Sequence, residues 1–156
     1  MGHFGFSYVG LVYMLMLFIP NLMWAKRMPQ GYDVDGESKA LQYFERVGEV
    51  CVSACAICFT DFNIHVITMN SIWLLLSFGC MLLYVGYWIR YFRSERTLKD
   101  FYCSFAGIPI AGASLPVIAF LLLGIYGNVI WMILSALILG VGHIGIHMQH
   151  KRALDK

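Results

Sequence analysis

Charge is scarce in this chain. Of 156 residues only 13% are Asp, Glu, Lys or Arg, while 60% are apolar and the mean hydropathy is +0.70; soluble domains carry roughly 25% charged residues. A soluble domain of this length leaves about 30% of its unfolded surface in water, more than so little polar sequence can cover, so soluble fold classes are excluded. The net charge is only +2, and Lys and Arg lie outside the apolar runs or at their ends, which excludes a clustered basic footprint for nucleic acid.

Other signals are missing too. Ser53 and Ser77 have no neighbouring triad signature and no Gly-rich phosphate cradle occurs, so no catalytic residue is assigned. No period of 20 to 50 residues repeats, which excludes the inverted halves of many transporters within one chain. A cleavable signal is not expected: Met1 to His3 lack a basic start, and Trp24, Ala25, Lys26 is no small-residue cleavage site. A lipid anchor is not expected either, because Phe6 stands where myristoylation needs Ser or Thr.

What is present is a set of long apolar runs, near residues 5–24, 41–61, 72–92, 104–126 and 128–148. Runs of about 20 residues match the hydrocarbon thickness, so the chain is expected to be an all-α, multi-pass membrane protein of five spans in one bundle, 1–156. The second run is the least apolar: Val50 to Thr60 covers only about 16 Å, and it spans only if Glu45 and Glu49 enter with it. The basic residues favour five spans. Lys26, Arg27, Lys39 and Arg46, then Arg90, Arg93, Arg96 and Lys99, then Lys151, Arg152 and Lys156 account for all 11 and fall on one side. By the positive-inside tendency the N-terminus is outside and the C-terminus in the cytoplasm, with a cytoplasmic-membrane location.

Cys51, Cys55, Cys58 and Cys80 lie inside apolar runs and read as packing residues, although Cys51, Cys55 and Cys58 form one helical stripe that a soft metal would also suit. Pro109, Gly112 and Pro116 predict a kinked fourth helix. Ala136 and Gly140 form a small-residue face for close helix packing, including a possible homodimer, and His143 and His147 share it.

Counting 1.5 Å per residue from the outer boundary places Glu49 at about 18 Å, Glu45, Asn21 and Trp88 at about 24 Å, Tyr84 at about 18 Å, His143 at about 22 Å and His147 at about 28 Å. All fall in the inner leaflet of a core about 30 Å thick. An ionised carboxylate there needs a partner; Arg46, three residues before Glu49, is the expected one.

This polar layer fits several chemistries. The leading expectation is a pocket for a lipid-like, apolar or amphipathic ligand, walled by Trp24, Tyr84 and Trp88 and anchored by Asn21, Glu45, Glu49, His143 and His147. A second is a divalent metal held by Glu45, Glu49, His143 and His147, or a proton relay through the same groups, in a membrane enzyme or ion pathway. A third is an accessory subunit whose helix faces bind partner helices. The loop from Lys26 to Ala40 is long enough to act as a lid, and the run from Arg90 to Lys99 is placed to meet anionic lipid headgroups. Membrane lipids are the expected partners.

The stretches Phe18-Ile-Pro-Asn-Leu-Met-Trp24, Glu45-Arg-Val-Gly-Glu49 and Gly142-His-Ile-Gly-Ile-His147 resemble a group of uncharacterised small multi-pass membrane proteins of clostridial-type Gram-positive bacteria. The resemblance covers most of the chain; it implies a bacterial cytoplasmic membrane and transfers no catalytic residue. Length and span number are similar to those of the tryptophan-rich sensory, or translocator, proteins, whose Trp-rich segments and paired prolines are absent here.

Overall fold

An apolar run can leave water only if its own N–H and C=O groups are paired, and a helix pairs them locally. The computed structural model, which describes residues 2–32 and 36–154, is all-helical accordingly: α1 (Tyr8–Ala25), α2 (Lys39–Cys58), α3 (Ser71–Arg93), α4 (Leu98–Tyr102), α5 (Ala111–Tyr126) and α6 (Ile130–Leu154), with one 3-10 turn at Thr60–Phe62. Three helices, α1, α3 and α6, are long and apolar enough to cross a membrane. At 1.5 Å per residue they reach about 27, 35 and 38 Å, against about 24 Å for α5. Outward-facing Leu11, Leu15, Phe18, Ile19 and Leu22 of α1 are 40–62% exposed, a surface suited to hydrocarbon rather than water.

Two boundaries differ from the expected segments for local reasons. α2 stops at Cys58 because the N-terminal segment straps its end: Gly5 N donates to Cys58 O (2.9 Å), Ser7 N to Ile57 O (2.9 Å) and Thr60 N to His3 O (3.0 Å). The fourth apolar run divides. Phe105 and Ile108 exchange backbone hydrogen bonds across Ala106 (φ 51) and Gly107 (φ 78), a two-residue reversal, and helix begins only at Ala111. Pro109 therefore lies outside the helix, and only Pro116 is within it. The expected kink at Pro109 is replaced by this turn, which fits the bias against helix in the residue before proline.

α2 packs on α6, α3 on α5 and α5 on α6, while α1 touches α2 and α3. Small residues set the closest approaches. A β-carbon at Gly10 would overlap the Ala56 carbonyl, one at Gly48 the Leu139 backbone and one at Gly142 the Glu45 nitrogen. Ala136 is buried, and Gly140 sits against Val117. The small-residue face that suggested a homodimer is thus used within the chain. The cysteines are free; Cys55 Sγ lies 3.9 Å from Ser135 Oγ at the α2–α6 contact.

Candidate functional site: a polar and aromatic layer at one end of the bundle

The expected residues come from four helices, and each pair on one helix is separated by a single turn. Glu45 and Glu49 lie on α2, Tyr84 and Trp88 on α3, and His143 and His147 on α6; i and i+4 side chains share a face. Asn21 and Trp24 lie near the end of α1. Because α1 and α3 finish, and α2 begins, at the same end of the bundle, the residues converge there.

Contact is continuous through a residue that sequence reading missed. Asn21 Nδ2 donates to Tyr84 OH (3.0 Å) and to Leu17 O (3.0 Å). The Tyr84 ring stands edge-on to Trp88, with centroids 6.2 Å apart. Trp88 and Trp24 then meet the same ring, Phe101 of α4, at 6.0 and 5.3 Å, and Trp24 stacks on it at an interplanar angle of 18°. His147 lies 5.6 Å from Phe101 on another side and 4.7 Å from His143. His143 Nδ1 is 2.5 Å from Glu45 Oε1, and Glu45, Glu49 and His143 bring one ligand atom each within 4.8 Å of one another.

Two expectations change. Arg46 is not the partner of Glu49: among the described residues every ion pair involves a histidine, and the one in this layer joins His143 to Glu45. His147 is not part of the converging carboxylate–imidazole set, because its ring packs toward Phe101 and Tyr102. Phe101 had a legible signal. Thr97 and Asp100 form a capping box, the Thr97 hydroxyl accepting from Asp100 N and the Asp100 carboxylate from Thr97 N, which marks a helix start and places Phe101 in α4.

Three buried donors around Phe101 make no hydrogen bond: Trp24 Nε1, Trp88 Nε1 and Tyr102 OH. The Tyr91 hydroxyl stands beside the Trp24 indole, the Tyr84 hydroxyl beside that of Trp88, and Tyr32 beside Tyr102. Buried polar groups are nearly always paired, and an unpaired one costs about 1–3 kcal/mol.

Beyond Tyr102 the layer opens. His150 Nε2 lies 2.8 Å from Glu37 Oε1, and its ring is sandwiched between Tyr32 (5.1 Å, 22°) and Tyr102 (5.9 Å, 19°). Beside them is a cavity of about 230 Å³ lined by Tyr32, Glu37, Leu98, Tyr102, Gln149 and His150. Burial, then the carboxylates of Glu37 and Glu45, push the Tyr32 phenol up to about 12, which keeps it a neutral donor. Asp33 and Asp35 of the expected lid loop lie outside the described residues.

No family description, curated protein or solved structure matches this chain. Function is therefore argued from the layer itself.

Proposed function

We propose that this is a five-span protein of the cytoplasmic membrane, N-terminus outside, that binds a small, flat amphipathic molecule in the layer around Phe101. The topology is supported by the one-sided distribution of Lys and Arg and by α2 and α5 packing between the three long apolar helices. The binding reading is carried by one observation: two buried indole N–H groups and a buried phenol that complete no hydrogen bond, with only tyrosine hydroxyls beside them, surround a single ring. Donors of that kind select a ligand bearing carbonyl or similar acceptors, and the stacked walls select a flat one. Phe101 occupies the ligand's place from a helix of five residues. The adjoining cavity of about 230 Å³ is below the roughly 300–1,000 Å³ of drug-sized sites, which fits a single ring or headgroup entering past Tyr102.

The test is native mass spectrometry of the protein from mild detergent, followed by titration with a methyl naphthoquinone read by tryptophan fluorescence. Saturable binding is expected. Trp24→Phe and Trp88→Phe keep the ring and remove the N–H, so each weakens binding about fivefold, the worth of one hydrogen bond of about 1 kcal/mol. Binding that neither change affects, or no retained or added molecule at all, overturns the reading.

A further inference from the structure

We propose that Glu45, Glu49 and His143 bind one divalent first-row transition ion, at a site that uses none of the donors around Phe101. Three donor atoms from two helices lie within 4.8 Å of one another. In a zinc or manganese site, with each donor about 2.1 Å from the ion, the donors stand roughly 3–3.5 Å apart, a difference within reach of side-chain rotation. The ion takes the place of the direct contact between His143 Nδ1 and Glu45 Oε1, 2.5 Å apart.

Charge and rigidity support the same reading. Two carboxylates and a neutral imidazole carry two negative charges, matching one divalent ion. Among the described residues no Lys or Arg is within ion-pair distance of Glu49, although a carboxylate at this depth needs a counter-charge. The helix backbones beneath the donors cannot draw closer, since Gly142 already touches the Glu45 nitrogen and Gly48 the Leu139 backbone. The donors are therefore held over a backbone-to-backbone contact, as a preorganised site requires. One nitrogen and carboxylate oxygens suit Zn²⁺, Mn²⁺, Fe²⁺ or Co²⁺ better than Cu⁺, which prefers sulfur, or Ca²⁺, which takes oxygen alone. Glu49 is exposed, so the chain's own side chains do not fill the remaining coordination positions.

The test uses the full chain in detergent, stripped with a chelator and titrated with Co²⁺, then Zn²⁺. One Co²⁺ per chain is expected, with visible ligand-field absorption that Zn²⁺ abolishes. Glu49→Gln and His143→Asn each weaken Zn²⁺ binding at least tenfold, whereas Glu37→Gln, in the other carboxylate–histidine pair, does not. A wild-type chain that takes up no Co²⁺ at millimolar concentration, or a Glu49→Gln chain that binds as well as wild type, overturns the site. Either result leaves naphthoquinone binding untouched, because that rests on Trp24, Trp88 and Tyr102.

Discussion

Phe101 stacks on Trp24 with ring centroids 5.3 Å apart and planes within 18° of parallel, so a five-residue helix supplies the side chain that closes an otherwise four-helix layer. Removing that ring opens the space without removing any of the surrounding donors. Phe101→Ala is expected to lower stability in detergent by about 3–5 kcal/mol, the usual cost of a large aromatic cavity, while naphthoquinone binding tightens because its competitor is gone. Thermal denaturation with and without the quinone checks both halves; a variant that is destabilised and binds no better shows Phe101 to be packing alone.

The capping box of α4 controls how firmly Phe101 is held. Thr97→Ala removes the acceptor for Asp100 N and should cost about 1 kcal/mol. Its specific signature is a red shift of tryptophan emission as Phe101 loosens from Trp24 and Trp88; an unshifted spectrum means that α4 is held by other contacts.

Glycine positions separate tight from open packing. Gly142→Ala places a methyl group against the Glu45 nitrogen, with nowhere for either backbone to move, and is expected to destabilise by about 1–3 kcal/mol while weakening ion binding. Gly79→Ala in α3 meets nothing within 4 Å and should be neutral or stabilising by up to about 1 kcal/mol. Chemical denaturation of the two variants provides the comparison, and equal effects would sink the argument.

The N-terminal strap should release in acid. His3 N and Nδ1 lie 2.5 and 2.8 Å from the Asp61 carboxylate. Burial raises the Asp61 pKa, but these bonds from His3 outweigh it and hold it below the ordinary 3.8. A carboxyl lowered on folding stabilises the fold above its unfolded pKa, and that contribution is lost as pH falls through 3.8 toward the depressed value. Amide exchange in residues 2–7 is therefore expected to stay slow at neutral pH and to rise in that acid window, on the intrinsic scale. Asp61→Asn should exchange fast throughout, with no acid step.

Orientation can be read with the chain's own thiols. Cys58 and Cys103 are free and exposed at opposite ends of the bundle. With the N-terminus outside, a membrane-impermeant maleimide applied to intact cells labels a chain retaining only Cys58 and spares one retaining only Cys103. The reverse pattern inverts the topology.

The sequence by itself determined the all-helical class and the gathering of polar residues at one end, since a 1.5 Å rise and a 3.6-residue period are local properties. Counting along each apolar run put Glu45, Glu49, Tyr84, Trp88, His143 and His147 toward the same end of their helices. The start of α5 was less legible, because apolar content continues through residues 104–110 while the turn depends on the backbone of Ala106 and Gly107. The end of α2 was hidden for a different reason: it is set by hydrogen bonds from residues at least 50 positions away. Which groups touch was decided only by the tertiary structure. Glu45 meets His143, Glu49 and Arg46 form no ion pair, and His147 turns to Phe101, because Gly48 and Gly142 bring α2 and α6 to backbone contact and α4 folds a further ring into the layer. Such contacts depend on the distance and rotation between helices, and periodicity along one helix carries neither.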